Sequence, residues 1–311
     1  KSNPMASIND VSRLANVSKA TVSRVLSGSR GVKEESRDAV LRAVEKLNYK
    51  PNAIAQSLTR QKTNCIGVIC ATEHVQQATG YLQALEKALS QDSKHLLLRF
   101  ANSAPAVAQA LEELGAGRCD AVMVVGARFA LPEEAKQAVL IDCLDGGEGP
   151  QLAIDYQFAS QTACHYLFSQ QRRKIVLFNF SHGEAAEQVL AGYCDALESA
   201  ALPYNRQLIC GQEESVSVAL QTLINRHIAF DALLVTDYIK SREAMALLRR
   251  YQRQVPQEVM VFSLDGAVPV VGAPEMPQMA WPLDMLAQRA LQLISGENSD
   301  FPPLRGSLIA P

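Results

Sequence analysis

The sequence predicts an α/β protein in two parts: a small helical module, then a larger body with two parallel sheets covered by helices. Residues 1–62 contain 12 Lys and Arg against 5 Asp and Glu, a net charge of +7, whereas the remainder contains 18 against 27, a net charge of -9. Apolar residues repeat at helical spacing up to residue 47, and short apolar runs alternate with helical stretches from residue 65 onward. This alternation occurs twice, on either side of a Gly-rich break at 145–150, which predicts two α/β subdomains.

Composition excludes several protein classes. With 48% hydrophobic and 20% charged residues, the 311-residue chain has the composition of an ordinary globular protein, neither disordered nor collagen-like. Its apolar runs are much shorter than the roughly 18 residues that suggest a membrane-spanning helix. No apolar stretch follows the charge at the N-terminus, so we expect no secretory signal, no membrane partner and a cytoplasmic location.

Three short helices are predicted in the basic module. Residues 7–10 offer a capping box, and Val11, Leu14 and Ala15 follow at the spacing of an amphipathic helix. Ser18 caps a second helix, whose apolar residues and polar residues lie on opposite faces. The apolar face comprises Val22, Val25 and Leu26, and the polar face Lys19, Ala20, Ser23 and Arg24. A third helix follows Gly31 and ends before Tyr49; its apolar residues Val40, Ala43, Val44 and Leu47 fall at helical spacing. The tight turn between the first two helices indicates a helix-turn-helix.

The polar face of the second helix has two interpretations. Lys19 and Arg24 can be ordinary solvated surface charges, but the net charge of +7 favours contact with a polyanion. A major groove admits one α-helix, and Arg donates two parallel hydrogen bonds to guanine. Arg24 is therefore the predicted base-reading residue.

The module resembles the signature headpiece of the lactose-repressor and galactose-repressor (LacI/GalR) family of bacterial transcription regulators. The resemblance extends over residues 8–28, INDVSRLANVSKATVSRVLSG, and continues through Val32, 47–52 and 55–58. It implies contact with operator DNA by two groups of residues. These are Ser18, Lys19, Ala20, Thr21, Ser23 and Arg24 of the second helix, and Asn52, Ala55 and Leu58 of a hinge helix.

The hinge helix, which the resemblance places at about 52–60, is too short to be stable alone, because isolated helices under about 12 residues are marginal in water. We expect it to be disordered without DNA and to order when two copies meet on a bent duplex. The resemblance gives Leu58 the role of a wedge between base pairs in the minor groove. A plain linker explains the polar residues 56–64 equally well.

In the body, buried strands are predicted at 65–70, 95–100, 121–125, 139–141, 175–180, 232–235 and 259–262. Helices are predicted at 77–91, 105–114, 158–168, 184–199, 216–225 and 239–251. The resemblance implies that these elements form two Rossmann-like subdomains of the periplasmic-binding-protein type.

Ligands of open parallel sheets bind beyond the carboxyl ends of the strands, and a cleft between two sheets can enclose a small molecule. Trp281, the one Trp of the chain, is a candidate for stacking on a sugar ring, although a single Trp belongs more often to the core. The candidate effector-binding residues are Thr72, Arg128, Asp142, Thr236, Asp237, Asp265 and Trp281.

The family pattern is only partly present in this candidate cleft. Asp142 and Asp265 match acidic family positions, the second of which commonly receives effector hydroxyls. Val189 stands where many members have an Arg before Leu-Ala-Gly-Tyr, so the usual cation is absent. Thr236 replaces the frequent Asn before Asp237, and Gly266 replaces a frequent Asp. Strongly anionic ligands are therefore disfavoured unless Arg128 reaches the cleft.

Nothing in the sequence indicates catalysis or a cofactor. The seven Cys residues form no CxxC pair, so we expect free thiols and no metal site. The five His residues show no spacing with a nucleophile, and phosphate-binding, dinucleotide and HExxH motifs are absent from the sequence. The chain ends at Pro311 without apolar heptads, so a homodimer is expected and not a tetramer.

The expected organisation is a helix-turn-helix headpiece at 1–51, a hinge helix and linker at 52–63, and an effector-binding and dimerisation domain at 64–311. The expected function is a repressor that binds a palindromic operator as a dimer and responds to a small metabolite, a sugar or a sugar derivative. One alternative is the same regulator with a phosphorylated, nucleoside or protein effector. Another is a solute-binding protein or an enzyme on the same two-lobed body, against which the basic headpiece counts.

Overall fold

A computed structural model describes residues 6–49, 62–144, 149–211, 214–297 and 300–311. The chain divides into two compact units, Lys1–Thr63 and Asn64–Pro311. The predicted fold class is confirmed, since a helical headpiece precedes two α/β lobes that each contain a mainly parallel sheet. Among the helices of the described ranges, none has both the length and the apolar surface that crossing a lipid bilayer requires.

Residues 6–49 of the first unit form three helices: α1 (Ile8–Ala15), α2 (Lys19–Leu26) and α3 (Glu34–Lys46). Their core is formed by Val11, Ala15, Val22, Val25, Val40 and Ala43. The predicted capping box at α1 is confirmed by reciprocal hydrogen bonds between Ser7 and Asp10. The expected inward position of Leu14 is wrong, because its side chain is 45% exposed. Eight residues of helix give α1 a narrow apolar face, which Val11 and Ala15 fill.

The first lobe of the body has a parallel sheet in the order β2-β1-β3-β4-β5. Its strands are β1 (Cys65–Cys70), β2 (His95–Phe100), β3 (Ala121–Val125), β4 (Val139–Ile141) and β5 (Gln151–Leu152). Its helices are α4 (Thr79–Gln91), which follows a 3-10 turn at Val75–Ala78, and α5 (Ala104–Gly115); a second 3-10 turn lies at Glu133–Gln137.

The second lobe has a sheet in the order β11-β10-β9-β8-β6-β7, in which β11 alone is antiparallel to its neighbour. Its strands are β6 (Ile175–Phe178), β7 (Ile209–Cys210), β8 (Ala232–Val235), β9 (Met260–Ser263), β10 (Gln278–Ala280) and β11 (Ser307–Ile309). Its helices are α6 (Tyr156–Ser169), α7 (Gly183–Ser199), α8 (Val216–Asn225) and α9 (Tyr238–Arg250), with a 3-10 turn at Arg206–Leu208.

The chain crosses between the lobes three times. It leaves the first sheet after β5, returns after β10 to form α10 (Leu283–Ile294) against α4, and crosses again before β11. The expected division at 145–150 is wrong, because β5 lies beyond it and still pairs with β4. The division therefore falls after Leu152, where the sheet pairing ends.

The predicted buried strand at 95–100 is present as β2 but is not buried. Leu97 is 41% exposed and Phe100 is 62% exposed. Within the part of the chain that the structure describes, β2 is the first strand of its sheet and pairs with β1 alone, so it lacks a second neighbour. The other predicted strands lie in the sheets with small end shifts: β6 ends at Phe178, before the predicted residue 180, and β9 begins at Met260.

Candidate functional site

The turn before α2 is fixed by side-chain hydrogen bonds. The Ser12 hydroxyl donates to the Val17 carbonyl oxygen at 2.6 Å, and the Ser18 hydroxyl oxygen accepts from the Thr21 amide at 3.1 Å. Asn16 takes the left-handed conformation (φ 50°) that ends α1, which Asn adopts more readily than most residues. These contacts hold α2 at a defined angle to α1, as the helix-turn-helix requires.

The structure places the predicted DNA-contacting residues of α2 on one side. Ser18, Lys19, Ala20 and Arg24 are exposed, while Thr21 and Ser23 are half-buried. Val22 and Val25 are buried on the opposite side. A polar helical face of this kind fits a major groove. Asn52, Ala55 and Leu58 lie outside the described residues.

A cleft of about 450 Å³ lies between the two lobes, beyond the carboxyl ends of strands from both sheets. Parallel strands bring the residues that follow them to the same edge, which is why scattered sequence positions meet here. All seven candidate effector residues line the cleft: Thr72, Arg128, Asp142, Thr236, Asp237, Asp265 and Trp281.

Asp142 is the centre of a buried polar cluster in this cleft. Its Oδ2 accepts hydrogen bonds from Tyr81 Oη and Arg128 Nη2, both at 2.9 Å, and its Oδ1 accepts from Tyr156 Oη at 2.6 Å. Arg128 also donates to the Asp142 carbonyl oxygen and to Tyr156 Oη. Because Asp142 is 7% exposed and both oxygens have protein donors, its role is to anchor Arg128 and the two tyrosines.

The charges in this cluster are mutually compensating. Burial disfavours the charged guanidinium of Arg128, but the Asp142 carboxylate outweighs it and raises the pKa of Arg128 well above its ordinary value. Burial and the same carboxylate raise the pKa of both Tyr81 and Tyr156, which keeps their hydroxyls protonated as donors. Arg128 does reach the cleft, but its charge is balanced by Asp142.

Asp265 has a different environment. Its carboxylate accepts only long hydrogen bonds from the backbone amides of Tyr238, at 3.3 Å, and Ala267, at 3.2 Å. Within the described ranges it forms no ion pair with a cationic side chain. Burial and the negative charge of Asp237 raise the pKa of Asp265 to about 7. Asp265 therefore has more capacity for further donors than Asp142 or Asp237, whose oxygens accept shorter hydrogen bonds from the protein.

The other polar candidates contact the protein itself. Asp237 caps α9 by accepting from the Lys240 amide at 2.8 Å, and its second oxygen accepts from Gln77 Nε2 at 2.8 Å. The Thr236 hydroxyl oxygen accepts from the Phe180 amide at 2.8 Å. The Thr72 hydroxyl donates to the His74 carbonyl oxygen at 2.9 Å. These residues shape the cleft wall.

Trp281 lines the cleft but is only 5% exposed, so it serves the core and the cleft together. Its indole lies edge-on to Tyr156, with ring centroids 5.8 Å apart. A Cβ on Gly266 would lie 2.3 Å from Trp281 Cδ2, so the indole occupies the space that an Asp side chain at 266 would need. Val189 is fully buried in the core, and its carbonyl oxygen accepts from Ser160.

Sequence reasoning missed several residues of the cleft. Tyr81, Tyr156, Gln77 and Lys240 lie within or just before helices, where no strand end marks them. The Lys240 ammonium lies 3.9 Å from the centroid of the Phe180 ring. Lys240 follows Asp237, the cap of α9, by three residues, so the two lie about one helical turn apart on the same face of the helix. This spacing is the sequence signal that could have identified Lys240 as a cleft residue. The whole arrangement offers donors, acceptors and aromatic surface, which suits binding of a small polar molecule.

Comparison with known proteins matches two separate parts of the chain to family models. Residues 7–52 match the model for bacterial regulatory proteins of the lacI family, and residues 164–299 match the periplasmic binding protein-like domain. The HTH-type transcriptional regulator GalR of Escherichia coli (strain K12) is 31% identical over 307 residues, which cover 93% of this chain and 88% of GalR.

Two solved structures share the fold. A lac repressor dimer bound to operator and the anti-inducer ONPF superposes with a TM-score of 0.77 at 20% identity, over 98% of this chain and 97% of that one. A complex of the transcriptional regulator CelR with cellobiose superposes with a TM-score of 0.68 at 23% identity, over 98% of both chains. The relatives are regulators and not enzymes, so the chain belongs to the LacI family of DNA-binding transcriptional regulators.

Proposed function

We propose that the protein is a cytoplasmic homodimeric repressor whose two headpieces bind a palindromic operator and whose cleft binds a small polyhydroxylated effector. In this proposal residues 1–51 read the DNA, 52–63 form the hinge, and 64–311 bind the effector and dimerise. The observation that carries the proposal is the cleft between two lobes of a chain whose headpiece exposes the polar face of α2. The operator-bound lac repressor dimer and the cellobiose complex of CelR support both halves by analogy.

The DNA-binding half predicts a specific role for Arg24. Arg24→Ala is expected to weaken operator binding by about 1–3 kcal/mol and to relax the preference at one base pair in each half-site, because a guanine contact is lost. The operator is first selected from a random-sequence DNA pool with the intact protein, and affinities are then measured by fluorescence anisotropy.

The matched control is Arg30→Ala, since Arg30 is also exposed in the headpiece but lies outside α2. It is expected to weaken operator and random DNA alike, as loss of a phosphate contact does. Equal weakening of operator and random DNA by Arg24→Ala would contradict the base-reading role.

The effector-binding half rests on the cleft and on Asp265. A cleft of about 450 Å³ fits a small ligand. In our proposal Asp265 accepts hydroxyl hydrogen bonds. Arg128 of the first lobe and Lys240 of the second lobe contribute cationic groups to the cleft lining, and Trp281 contributes a ring edge. A thermal-shift screen of sugars is the first test, because a ligand at 100 times its dissociation constant adds about 2.7 kcal/mol of stability. Release of operator by the hit tests the link between the cleft and the headpiece.

Binding of a neutral sugar is expected to strengthen about tenfold from pH 6 to pH 8. Burial and Asp237 raise the pKa of Asp265 to about 7, and its ionised form accepts charge-assisted hydroxyl hydrogen bonds on both oxygens, so affinity rises as the proton leaves. Calorimetry across this range on the wild type and on Asp265→Asn measures the effect. The variant should bind more weakly and without this pH dependence; the same pH profile in both proteins would remove Asp265 from the binding site.

A phosphorylated effector is the second candidate, and one observation favours it. The Lys240 ammonium lines the cleft and, within the described residues, pairs with the Phe180 ring and with no carboxylate. A phosphate would supply the missing anion. Calorimetry with matched hexose and hexose phosphate, on the wild type and Lys240→Met, separates the two candidates. The phosphorylated effector is favoured if hexose phosphate binds the wild type more tightly than hexose does and Lys240→Met abolishes this difference.

A further inference from the structure

A hydrogen bond joins the two lobes across the cleft. Gln77, in the 3-10 turn before α4 of the first lobe, donates from Nε2 to Asp237 Oδ2 at 2.8 Å. Asp237 precedes α9 of the second lobe, 160 positions further along the chain. Both side chains also line the cleft, so this contact forms part of the wall around a bound effector.

Both partners are held in the orientation that the hydrogen bond requires. The His74 backbone amide donates to Gln77 Oε1 at 3.0 Å, which turns the amide nitrogen of Gln77 toward the second lobe. The Lys240 backbone amide donates to Asp237 Oδ1 at 2.8 Å, which leaves Oδ2 facing Gln77. Asp237 is 8% exposed, so water competes weakly for this charge-assisted hydrogen bond.

The backbones of the lobes also meet beside this pair. The Gly80 amide, in the first turn of α4, donates to the Ala267 carbonyl oxygen of the second lobe at 2.8 Å. The first N–H groups of a helix have no intrahelical partner, so Ala267 satisfies a donor that α4 cannot. A Cβ on Gly80 would lie 2.2 Å from this oxygen, so only glycine allows so close an approach.

We propose that Gln77 is a positioning residue for the effector cleft: with Asp237 it forms a clasp that holds the lobes in the enclosed arrangement. No sequence motif identifies Gln77, because its partner Asp237 lies 160 positions away and is brought close only by the arrangement of the lobes. A ligand shifts a two-state equilibrium only by its different affinities for the two states. The clasp therefore sets how much binding free energy an effector has to spend on closing the lobes. The link from closure to operator binding rests on the proposed function, whereas the clasp itself does not.

Hydrogen exchange of the Gly80 amide in the full-length, effector-free protein tests the clasp. This amide bonds across the lobes, so its protection reports lobe contact and not the integrity of α4. Gln77→Ala is expected to lower the protection factor about tenfold, the worth of a hydrogen bond to a charged group. Gln76→Ala is the matched control, because Gln76 is the adjacent, exposed glutamine. It should leave the protection factor unchanged.

Exchanging the amide and the carboxylate between positions 77 and 237 separates loss of the Gln77–Asp237 hydrogen bond from a general disturbance of the fold. Gln77→Glu places two carboxylates face to face and should lower Gly80 protection more than Gln77→Ala. The double variant Gln77→Glu with Asp237→Asn restores one donor and one acceptor, and Asn still caps a helix. It should recover most of the protection. Unchanged protection in Gln77→Ala, or no recovery in the double variant, would overturn the clasp.

Operator affinity measured on the same variants tests the consequence separately. If the proposed function holds, operator affinity should change in the same order as Gly80 protection across the variants. Altered protection with constant operator affinity would keep the clasp but refute its coupling to the headpiece.

Discussion

Replacing Arg128 by Met is expected to lower the free energy of unfolding of the body by about 3–5 kcal/mol. The variant leaves the Asp142 carboxylate buried without its cation, at a position where its side chain is 7% exposed. Tyr81 and Tyr156 still donate to it, but neutral hydroxyls do not replace a guanidinium 2.9 Å away. Urea unfolding followed by circular dichroism measures the change.

Two further variants show whether the loss of stability in Arg128→Met comes from the unpaired buried charge of Asp142 or simply from removing an arginine. Arg242→Met breaks an ion pair with Glu275 in which both side chains are more than half exposed, so the expected change is within about 1 kcal/mol. Arg128→Met combined with Asp142→Asn removes both charges and should recover most of the lost stability. If the double variant is no more stable than Arg128→Met, the unpaired charge is not the cause.

Sequence periodicity predicted seven of the eleven strands in the described residues and missed the short strands β5, β7, β10 and β11. Strand ends predicted where many of the cleft residues lie. Runs such as 121–125 and 232–235 are continuously apolar because both faces of a parallel sheet are covered. The residues that follow them must then lie at one edge. The same reasoning failed for β2, because an edge strand carries the same apolar residues as a central one, and strand order is a property of the assembled sheet.

The pairings within the cleft could not be predicted. Arg128 meets Asp142 because β3 pairs with β4 in the register that sets Val125 opposite Ile141, and a sequence does not state that register. Gln77 meets Asp237 because two lobes face each other, which depends on three crossovers at once. The cleft residues at strand ends were thus accessible from sequence, whereas the cleft residues on helices, such as Tyr81 and Gln77, and the pairings between side chains were not.

Asp265→Asn is expected to stabilise the effector-free protein at pH 8, in contrast to the loss caused by Arg128→Met. The pKa of Asp265 is raised from 3.8 to about 7, first by burial and then by the charge of Asp237. Above pH 7 the folded protein therefore contains a carboxylate in an unfavourable site. Asn has a similar shape without the charge. The expected gain is on the order of 2–4 kcal/mol, allowing for partial exposure to the cleft.

The pH dependence identifies the cause. Between about pH 4 and pH 7 the unfolded chain loses the Asp265 proton before the folded protein does, so rising pH destabilises the wild type through this group. Above about pH 7 both states are ionised and the effect is constant. The stability difference between Asp265→Asn and the wild type should therefore grow from pH 4.5 to pH 7 and then level off.

Asp284→Asn, at an exposed carboxylate, is the control and should show no such growth. A difference that stays constant across this range would mean that Asp265 titrates as an ordinary carboxylate. If the difference grows as expected, the cleft retains a buried charge that destabilises the effector-free protein and that the hydroxyl donors of an effector can stabilise by hydrogen bonding. Binding sites commonly reduce stability in this way.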